Sequence, residues 1–180
     1  MIYNNYLAND INVQFYAGDP SVFTWNRPGG PVEEINIMGG PNIAGNYWSN
    51  SAGSGWSDSR QDSHGYSTTE TYSDGTGVTD NYPLVNIADP TLTSVTPSSG
   101  VNTAAASVTL TGTDLHAGAT VNLTMSGQTN ITGTNVQKGT EFTTITCSLP
   151  ITGAQAGAWD VYVKNPTGQE TSLANGFTVQ

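Results

Sequence analysis

Charged residues are scarce in this chain of 180 residues, and basic residues are the scarcest. Charged side chains make up 10% of the sequence, far below the usual quarter, so long solvated helices with rows of ion pairs are not expected. Four Lys and Arg residues stand against fourteen Asp and Glu residues, which gives a formal net charge of -10. Such a chain lacks the basic surface that attracts nucleic acids and anionic membranes, so both partner classes are excluded.

Cysteine and long apolar runs are also lacking. Cys147 is the single cysteine, which excludes a disulfide within the chain and a Cys-rich metal cluster. No run of about eighteen apolar residues occurs, so no membrane span is predicted. Residues 1–5 lack the basic and apolar regions of a signal peptide. What remains is rich in Gly, Ser, Thr and Asn, a composition typical of an extracellular β-protein with short strands and many turns.

Strand patterns are widespread, whereas helix patterns are absent. Gly, Pro, Asn, Ser and Thr interrupt every window in which an apolar stripe of helical period could form. Alternation of apolar and polar residues instead predicts half-buried strands. The clearest strands are residues 11–15, 108–111, 120–123, 144–147 and 160–163. We therefore expect an all-β fold.

The chain changes character near Asp89 and Pro90. Three of the four Trp residues and ten of the fourteen acidic residues lie in residues 1–89, and Thr/Val/Gly alternation follows. A proline at such a change in composition is typical of a linker. We expect two domains, residues 1–88 and residues 89–180.

The first half consists of short apolar units followed by Asn. Examples are residues 2–6, 11–13, 23–26 and 36–40. In a parallel β-helix each rung is a short strand with one or two inward residues, and Asn occupies the tight corners. One rung buries little surface alone, so neighbouring rungs must stack. This pattern favours β-helix rungs in the first half.

Several of these units occur in an order that resembles a known family. The segments are residues 2–6, 24–26, 36–40, 45–49 (Gly-Asn-Tyr-Trp-Ser) and 80–84 (Asp-Asn-Tyr-Pro-Leu). Together they resemble the C-terminal end of a NosD-like right-handed β-helix. NosD-like β-helices belong to the group of carbohydrate-binding and sugar-hydrolysis repeats, which is common in surface proteins of methanogenic archaea. The resemblance covers residues 1–86 and implies terminal rungs followed by a cap.

The second half resembles the IPT/TIG family. The residues that carry the resemblance are 92–100, 108–115, 118–121, 144–147, 160–168 and 175–179. The resemblance implies an immunoglobulin-like β-sandwich, and the residues agree: about seven short strands are separated by turns every eight to twelve positions. Residues 165–168 (Asn-Pro-Thr-Gly) predict a hairpin connection. Some relatives bind DNA, but four basic residues cannot neutralise a row of phosphates.

A calcium site is one hypothesis for the region between residues 49 and 81, which we expect to form an ordered cap. Family members commonly carry an Asp/Gly repeat here, and this chain keeps Asp74, Gly75 and Asp80. Calcium takes six to eight oxygen ligands, which Asp-rich loops supply. The alternative is a set of solvated turn aspartates. The candidate ligands are Asp58, Asp62, Asp74 and Asp80.

Aromatic residues of the first half are candidates for carbohydrate binding, because aromatic rings pack on the apolar faces of sugar rings. For Trp25, Trp48 and Tyr82 we favour a role in closing the β-helix core. Trp56, in a Gly/Ser stretch, is the better candidate for exposure. The predicted carbohydrate-binding residues are Trp56, Tyr66 and Tyr72.

Enzymatic activity is not predicted. A glycosidase needs a pair of carboxyl groups, and the acids of residues 58–80, with His64 as a proton shuttle, supply the residue types. Nothing in their spacing selects a pair, so we identify no catalytic residue.

Four residues of the second half are also singled out. His116 has no His or Cys partner at ligand spacing and is expected in a loop. Cys147 alternates with apolar neighbours and is expected in the core. Asn122 and Asn130 begin N-glycosylation sequons.

These observations favour a non-enzymatic structural or adhesion module of an extracellular or cell-surface protein. The alternative is a carbohydrate-binding or sugar-hydrolysing β-helix protein, with glycans as partners. The first rung, residues 2–6, carries no charge and no proline that would protect its edge. Two explanations are open: either further rungs precede this segment in a longer protein, or another copy covers the edge. In the second case we expect a homo-oligomer or filament to form through the open end of the β-helix.

Overall fold

The computed structural model describes residues 2–8, 25–75, 78–139 and 141–180. The chain separates into two compact units, Met1–Ala88 and Asp89–Gln180, called here the N-terminal and C-terminal units. The fold is all-β, and no helix occurs in the described ranges. The described residues therefore contain no helix that could span a membrane.

Strands of the N-terminal unit are only two residues long. They are β1 (Tyr6–Leu7), β2 (Tyr47–Trp48), β3 (Tyr72–Ser73) and β4 (Thr79–Asp80). β1 pairs with β2 in parallel, whereas β3 and β4 pair antiparallel. Gly, Asn and Ser around these strands form turns. One example is the predicted unit of residues 36–40, which closes a turn through the Asn36 side chain and contains no strand.

Segments beside these strands extend the parallel pairing into a ladder. Tyr47 pairs with Tyr6 on one side and with Leu84 on the other, in parallel in both cases, and Leu84 also pairs antiparallel with Tyr66. The Tyr47 backbone N–H donates to the Asn5 carbonyl at 2.8 Å, and the Leu84 N–H donates to the Asn46 carbonyl at 2.8 Å. Two small apolar clusters flank this ladder. One contains Trp25, Trp48 and Val78, and the other contains Ala44, Tyr47 and Leu84.

Strands of the C-terminal unit are longer and form two sheets. They are β5 (Thr91–Thr96), β6 (Ser99–Gly100), β7 (Ala106–Thr113), β8 (Thr120–Thr124), β9 (Ile131–Thr132), β10 (Thr134–Lys138), β11 (Thr144–Leu149), β12 (Gly157–Lys164) and β13 (Glu170–Val179). One sheet has the order β10-β11-β7-β5 and the other β6-β13-β12-β8-β9. Buried residues of both sheets form one apolar cluster. In β12, for example, Trp159, Val161 and Val163 are buried.

Four of the predicted strands are confirmed, within β7, β8, β11 and β12. The predicted turn at residues 165–168 connects β12 to β13, and the Gly168 N–H donates to the Asn165 carbonyl at 3.0 Å. The predicted strand at residues 11–15 lies outside the described residues, and so do residues 23 and 24 of the predicted unit at residues 23–26. Alternation is a reliable signal here because each of the confirmed strands has one buried and one solvated face.

Candidate functional site

A fully buried carboxylate lies at the centre of the N-terminal unit. Asp80, at the end of β4, has no solvent exposure. Its Oδ2 accepts hydrogen bonds from the Asn46 backbone N–H at 2.6 Å and from the Trp48 indole Nε1 at 3.1 Å, and its Oδ1 accepts one from the Tyr82 N–H at 3.1 Å. Gly45 is required beside it, because a Cβ at that position would overlap the carboxylate. Asp80 therefore joins β4 to the central rung of the ladder.

Burial and hydrogen bonding act on Asp80 in opposite directions. Burial raises the pKa of its carboxyl group to about 6, although the N–H donors of Asn46, Trp48 and Tyr82 lower it in part. The group is therefore ionised at neutral pH, when three N–H donors stabilise its charge. No basic side chain takes part in these bonds.

Asn46 extends this hydrogen-bond network to the residues that precede β1. Its Nδ2 donates to the carbonyl oxygens of Ile2 at 2.9 Å and Trp25 at 2.6 Å, and its Oδ1 accepts from the Asn5 Nδ2 at 3.0 Å. Asn46 is fully buried, so these bonds satisfy a side-chain amide that water does not reach. We call the connected groups of Asn5, Asn46 and Asp80 the polar spine.

Asp58 belongs to a different network. Its Oδ2 accepts hydrogen bonds from the Ser49 Oγ and the Gly55 N–H, both at 2.6 Å, and its Oδ1 lies 3.2 Å from the Tyr47 hydroxyl. Tyr47 also reaches the Asn86 Oδ1 at 3.0 Å. Burial and the nearby Asp58 charge raise the pKa of Tyr47 to about 12, so its hydroxyl stays a donor.

Asp62 pairs with His64. The Asp62 Oδ1 lies 2.8 Å from the His64 Nδ1, and its Oδ2 accepts a hydrogen bond from the Thr68 hydroxyl at 2.8 Å. Burial by itself raises the pKa of Asp62, but the bonds from the His64 backbone and ring and from Thr68 outweigh it and lower the pKa below its ordinary value. This arrangement holds the turn at residues 62–65.

The four predicted calcium ligands thus lie in separate environments. Asp74 is exposed, and its Oδ1 accepts a hydrogen bond from the Val78 N–H at 3.2 Å. Residues 76 and 77 of the Asp/Gly repeat lie outside the described residues. Among the residues that are described, no group of three or more His, Cys, Asp and Glu side chains comes together as metal ligands. A calcium site at Asp58, Asp62, Asp74 and Asp80 stays a prediction.

The three predicted carbohydrate-binding residues have different surroundings. Tyr72 stacks on Trp48, with ring centroids 4.1 Å apart, and Trp56 packs edge-on against Tyr72 at 6.0 Å. The Arg60 guanidinium covers Trp56, 3.9 Å from the ring centroid. Trp56 is therefore half-buried rather than freely exposed. Tyr66 instead meets Tyr82 at a right angle, with centroids 6.1 Å apart.

Tyr66 lines a surface cleft of about 230 Å³, formed by residues 66–71 with Asn81 and Tyr82, which we call the Tyr66 cleft. A smaller hollow of about 120 Å³ adjoins it and is bounded by Arg60, Asp62 and Glu70. Ser67, Thr69 and Glu70 line both hollows. Tyr82, expected from the sequence to close the β-helix core, is half-buried and packs against the cluster of Ala44, Tyr47 and Leu84. It also forms a wall of the cleft.

Candidate residues of the C-terminal unit occupy structural positions. Cys147 is buried as expected, and burial raises the pKa of its thiol to about 11, which disfavours the nucleophilic thiolate. His116 lies in a loop as predicted, but it is buried there, and its backbone N–H donates to Asn165 at 3.1 Å. Asn122 accepts a hydrogen bond from the Thr132 hydroxyl, whereas Asn130 is exposed before β9.

Comparison with known families finds a match for one part of the chain. Residues 1–53 match the family model described as periplasmic copper-binding protein (NosD). No curated protein matches the chain.

Copper does not fit the matched segment. Copper sites in proteins are built mainly from His, Cys and Met side chains, and residues 1–53 contain neither His nor Cys. Met38 packs against the apolar cluster around Tyr47. The matched segment therefore offers no His or Cys ligand for a copper site. Residues 1–53 are NosD-like in sequence, in agreement with the parallel pairing of β1 and β2.

Proposed function

We propose that this chain is a non-catalytic structural or adhesion module of an extracellular or cell-surface protein. Its N-terminal unit supplies the terminal rungs and cap of a right-handed parallel β-helix, and its C-terminal unit is an immunoglobulin-like sandwich of the IPT/TIG type. An extracellular location is supported by the match of residues 1–53 to a family described as periplasmic.

The observation that carries the proposal is the register of the ladder, in which residues of the same kind lie at paired positions of β1 and β2. Asn5 bonds to Asn46 through side chains at 3.0 Å, Tyr6 stacks on Tyr47 with centroids 5.2 Å apart, and Leu7 pairs with Trp48. Such repetition at equivalent positions is how a solenoid builds its core from rungs that bury little alone. The second unit's two sheets around one apolar cluster support the sandwich.

A non-catalytic role is supported by the hydrogen bonds that the acidic residues form within the protein. The Asp80 carboxylate is fully buried and bonded on both oxygens, and Asp58 bonds to Ser49 and Gly55. These groups hold the ladder and its turns in place rather than facing a substrate.

The outer edge of β1 is a docking surface in this proposal. Among the described residues β1 has a strand partner on one side only, and we propose that its other edge pairs with a further strand. Tyr6 is 48% exposed and Tyr3 is 38% exposed. Ile37, 56% exposed, is placed beside them by a hydrogen bond from its N–H to the Asn4 side chain at 2.8 Å.

We propose that a second copy covers this edge. The opposite end of the ladder is occupied by Tyr66, which pairs antiparallel with Leu84. Two β1 edges can instead meet around a twofold axis, which gives a closed dimer. A filament would need a further acceptor surface.

Light scattering on the complete chain tests the assembly. We expect association that rises with concentration and that Tyr6→Lys abolishes, because a buried unpaired charge opposes the contact. Val101→Lys is the matched control, since Val101 is a 55% exposed apolar residue of the other unit. A monomeric unmodified chain at high concentration would refute the assembly. Release of reducing sugar from polysaccharides would refute the non-catalytic role.

A further inference from the structure

We propose that the rings of Trp56, Tyr72 and Trp48 form an electron-transfer path from the surface of the N-terminal unit to its interior. The substrate class is a small one-electron oxidant, such as the carbonate radical, which takes an electron at Trp56. The path ends at Trp48, whose indole proton passes to Asp80 as the electron leaves. This activity is separate from the structural role proposed above and from the assembly at β1.

The three rings are in contact along the whole path. Trp56 is half-buried, whereas Trp48 is 1% exposed. Trp56 meets Tyr72 edge-on with centroids 6.0 Å apart, and Tyr72 stacks on Trp48 with centroids 4.1 Å apart and ring planes 10° from parallel. Tryptophan and tyrosine lose one electron more readily than the other aromatic side chains do, and electron transfer slows steeply with distance. Two short steps therefore connect an oxidant in solution with a ring that it cannot touch.

Two charges give the path its direction. The Arg60 guanidinium lies 3.9 Å from the centroid of Trp56, so its positive charge opposes a radical cation on that ring. The Asp80 carboxylate lies 3.1 Å from the Trp48 Nε1, so its negative charge favours a radical cation there. Charges at such distances interact strongly where water is excluded. An electron therefore moves from Trp48 through the Tyr72 ring to the oxidised Trp56.

The indole proton of Trp48 has an acceptor already in place. Its Nε1 donates to the Asp80 Oδ2, and a tryptophan radical cation is a far stronger acid than tryptophan, so the proton moves along this bond. Burial raises the pKa of Asp80 to about 6 and favours the neutral carboxyl group that results. The products are a neutral Trp48 radical, a neutral Asp80 and the reduced oxidant. A thiolate that returns one electron becomes a thiyl radical, and the proton goes back to Trp48.

Two comparisons within the chain identify Trp48 as the end of the path. Burial and the charge of Asp74 raise the pKa of Tyr72, which disfavours proton loss from the bridging ring. Trp159 of the other unit is 2% exposed, much like Trp48, but its Nε1 donates to the Gln155 carbonyl at 3.0 Å. A peptide carbonyl is a much weaker base than a carboxylate and does not take up the proton. Burial of an indole alone therefore does not give this site.

Flash photolysis of the complete chain with a ruthenium tris-bipyridine photosensitiser and persulfate tests the path. Optical absorption and electron paramagnetic resonance distinguish a neutral tryptophan radical from its radical cation and from a tyrosyl radical. We expect a neutral tryptophan radical that outlives the one formed by free N-acetyltryptophanamide. Trp48→Phe should abolish this long-lived radical, and Trp56→Phe should reduce its yield. Asp80→Asn should give the radical cation in place of the neutral radical, because the amide does not accept the proton.

Trp159→Phe is the matched control, because it removes a buried indole that has no carboxylate acceptor, and it should leave the signal unchanged. If Asp80→Asn or Trp48→Phe does not fold, acidification of the unmodified chain decides the question. Below about pH 6 a protonated Asp80 does not accept the proton, so the radical cation should replace the neutral radical. Within the described residues, only N–H groups of Asn46, Trp48 and Tyr82 donate hydrogen bonds to Asp80.

The proposal is overturned if Trp48→Phe leaves the yield and lifetime of the radical unchanged. It is equally overturned if the neutral radical forms as readily in Asp80→Asn, or below the pKa of Asp80, as it does in the unmodified chain at neutral pH. Neither result bears on the structural role or on assembly through β1.

Discussion

The two units of this protein hold their strands together by different means. The C-terminal unit has strands of up to ten residues around one cluster of seventeen buried residues. In the described part of the N-terminal unit (residues 2–8, 25–75 and 78–88), the strands have two residues and there are two clusters of three buried apolar residues each. A polar spine of Asn and Asp side chains supplies the remaining connections. Buried hydrogen bonds can therefore hold short strands together beside small apolar clusters.

Removal of the buried carboxylate should give the largest effect. Asp80→Ala leaves the N–H groups of Asn46, Trp48 and Tyr82 without an acceptor, and an unsatisfied buried donor costs about 1–3 kcal/mol. We expect the N-terminal unit to lose roughly 5 kcal/mol of stability. Hydrogen exchange measured separately over the two units checks this. Unchanged protection of residues 44–49 would show that the spine does not stabilise the ladder.

A core truncation probes the other unit in the same way. Leu110 of β7 is fully buried in the apolar cluster, so Leu110→Ala leaves a cavity and should cost about 3.5 kcal/mol. The loss should appear in the free energy of unfolding of the C-terminal unit, measured by denaturant titration. If this loss is below that of a surface change such as Thr178→Ala, the unit does not depend on its apolar core.

Acidification should stabilise the N-terminal unit. The pKa of Asp80 is about 6 in the folded protein against an ordinary value of 3.8, so folding favours its protonated form. The added stability is fully present below pH 3.8 and is lost as the pH rises through 6. It amounts to about 3 kcal/mol.

The measurement for this prediction is unfolding of the N-terminal unit between about pH 4 and 7, the range that contains the pKa of Asp80. Asp80→Asn is the control, because the amide cannot titrate, so the stability of this variant should no longer depend on pH in this range. If the stability of the unmodified chain does not change with pH in this range, the raised pKa of Asp80 is contradicted.

Loss of one hydroxyl should have the smallest effect. Tyr47→Phe keeps the ring that stacks on Tyr6 but removes the donor to Asn86 and Asp58, which should cost about 1 kcal/mol. Tyr162→Phe is the matched control in the other unit, where the hydroxyl is on the surface and donates to Glu170. If Tyr47→Phe lowers the melting temperature no more than Tyr162→Phe does, the Tyr47 hydroxyl does not stabilise its network.

Local patterns predicted much of the C-terminal unit. The strands at residues 108–111, 120–123, 144–147 and 160–163 were identified because each carries the alternation of a half-buried strand. The burial of Cys147 follows from the same pattern. The outer strand β10 was not predicted, since its residues are mostly exposed and show no clear alternation.

The candidate site was predicted less well. Tyr66 was identified as a candidate ligand contact, but Arg60 and Asn81 were not, because neither belongs to a pattern that sequence spacing can reveal. Trp56 was expected to be exposed in its Gly/Ser stretch, yet Arg60 covers its ring at 3.9 Å. Contacts of this kind depend on which turns come together and not on neighbours along the chain.

The sequence by itself determined that this protein is all-β, acidic and divided near Asp89, since composition and alternation are local properties. Only the tertiary structure decided that Asp80 binds the backbone of Asn46, 34 residues away, and that Asn46 binds Asn5, 41 residues away. The physical reason is that a buried polar group must be paired, but the chain does not specify locally which distant group will pair with it.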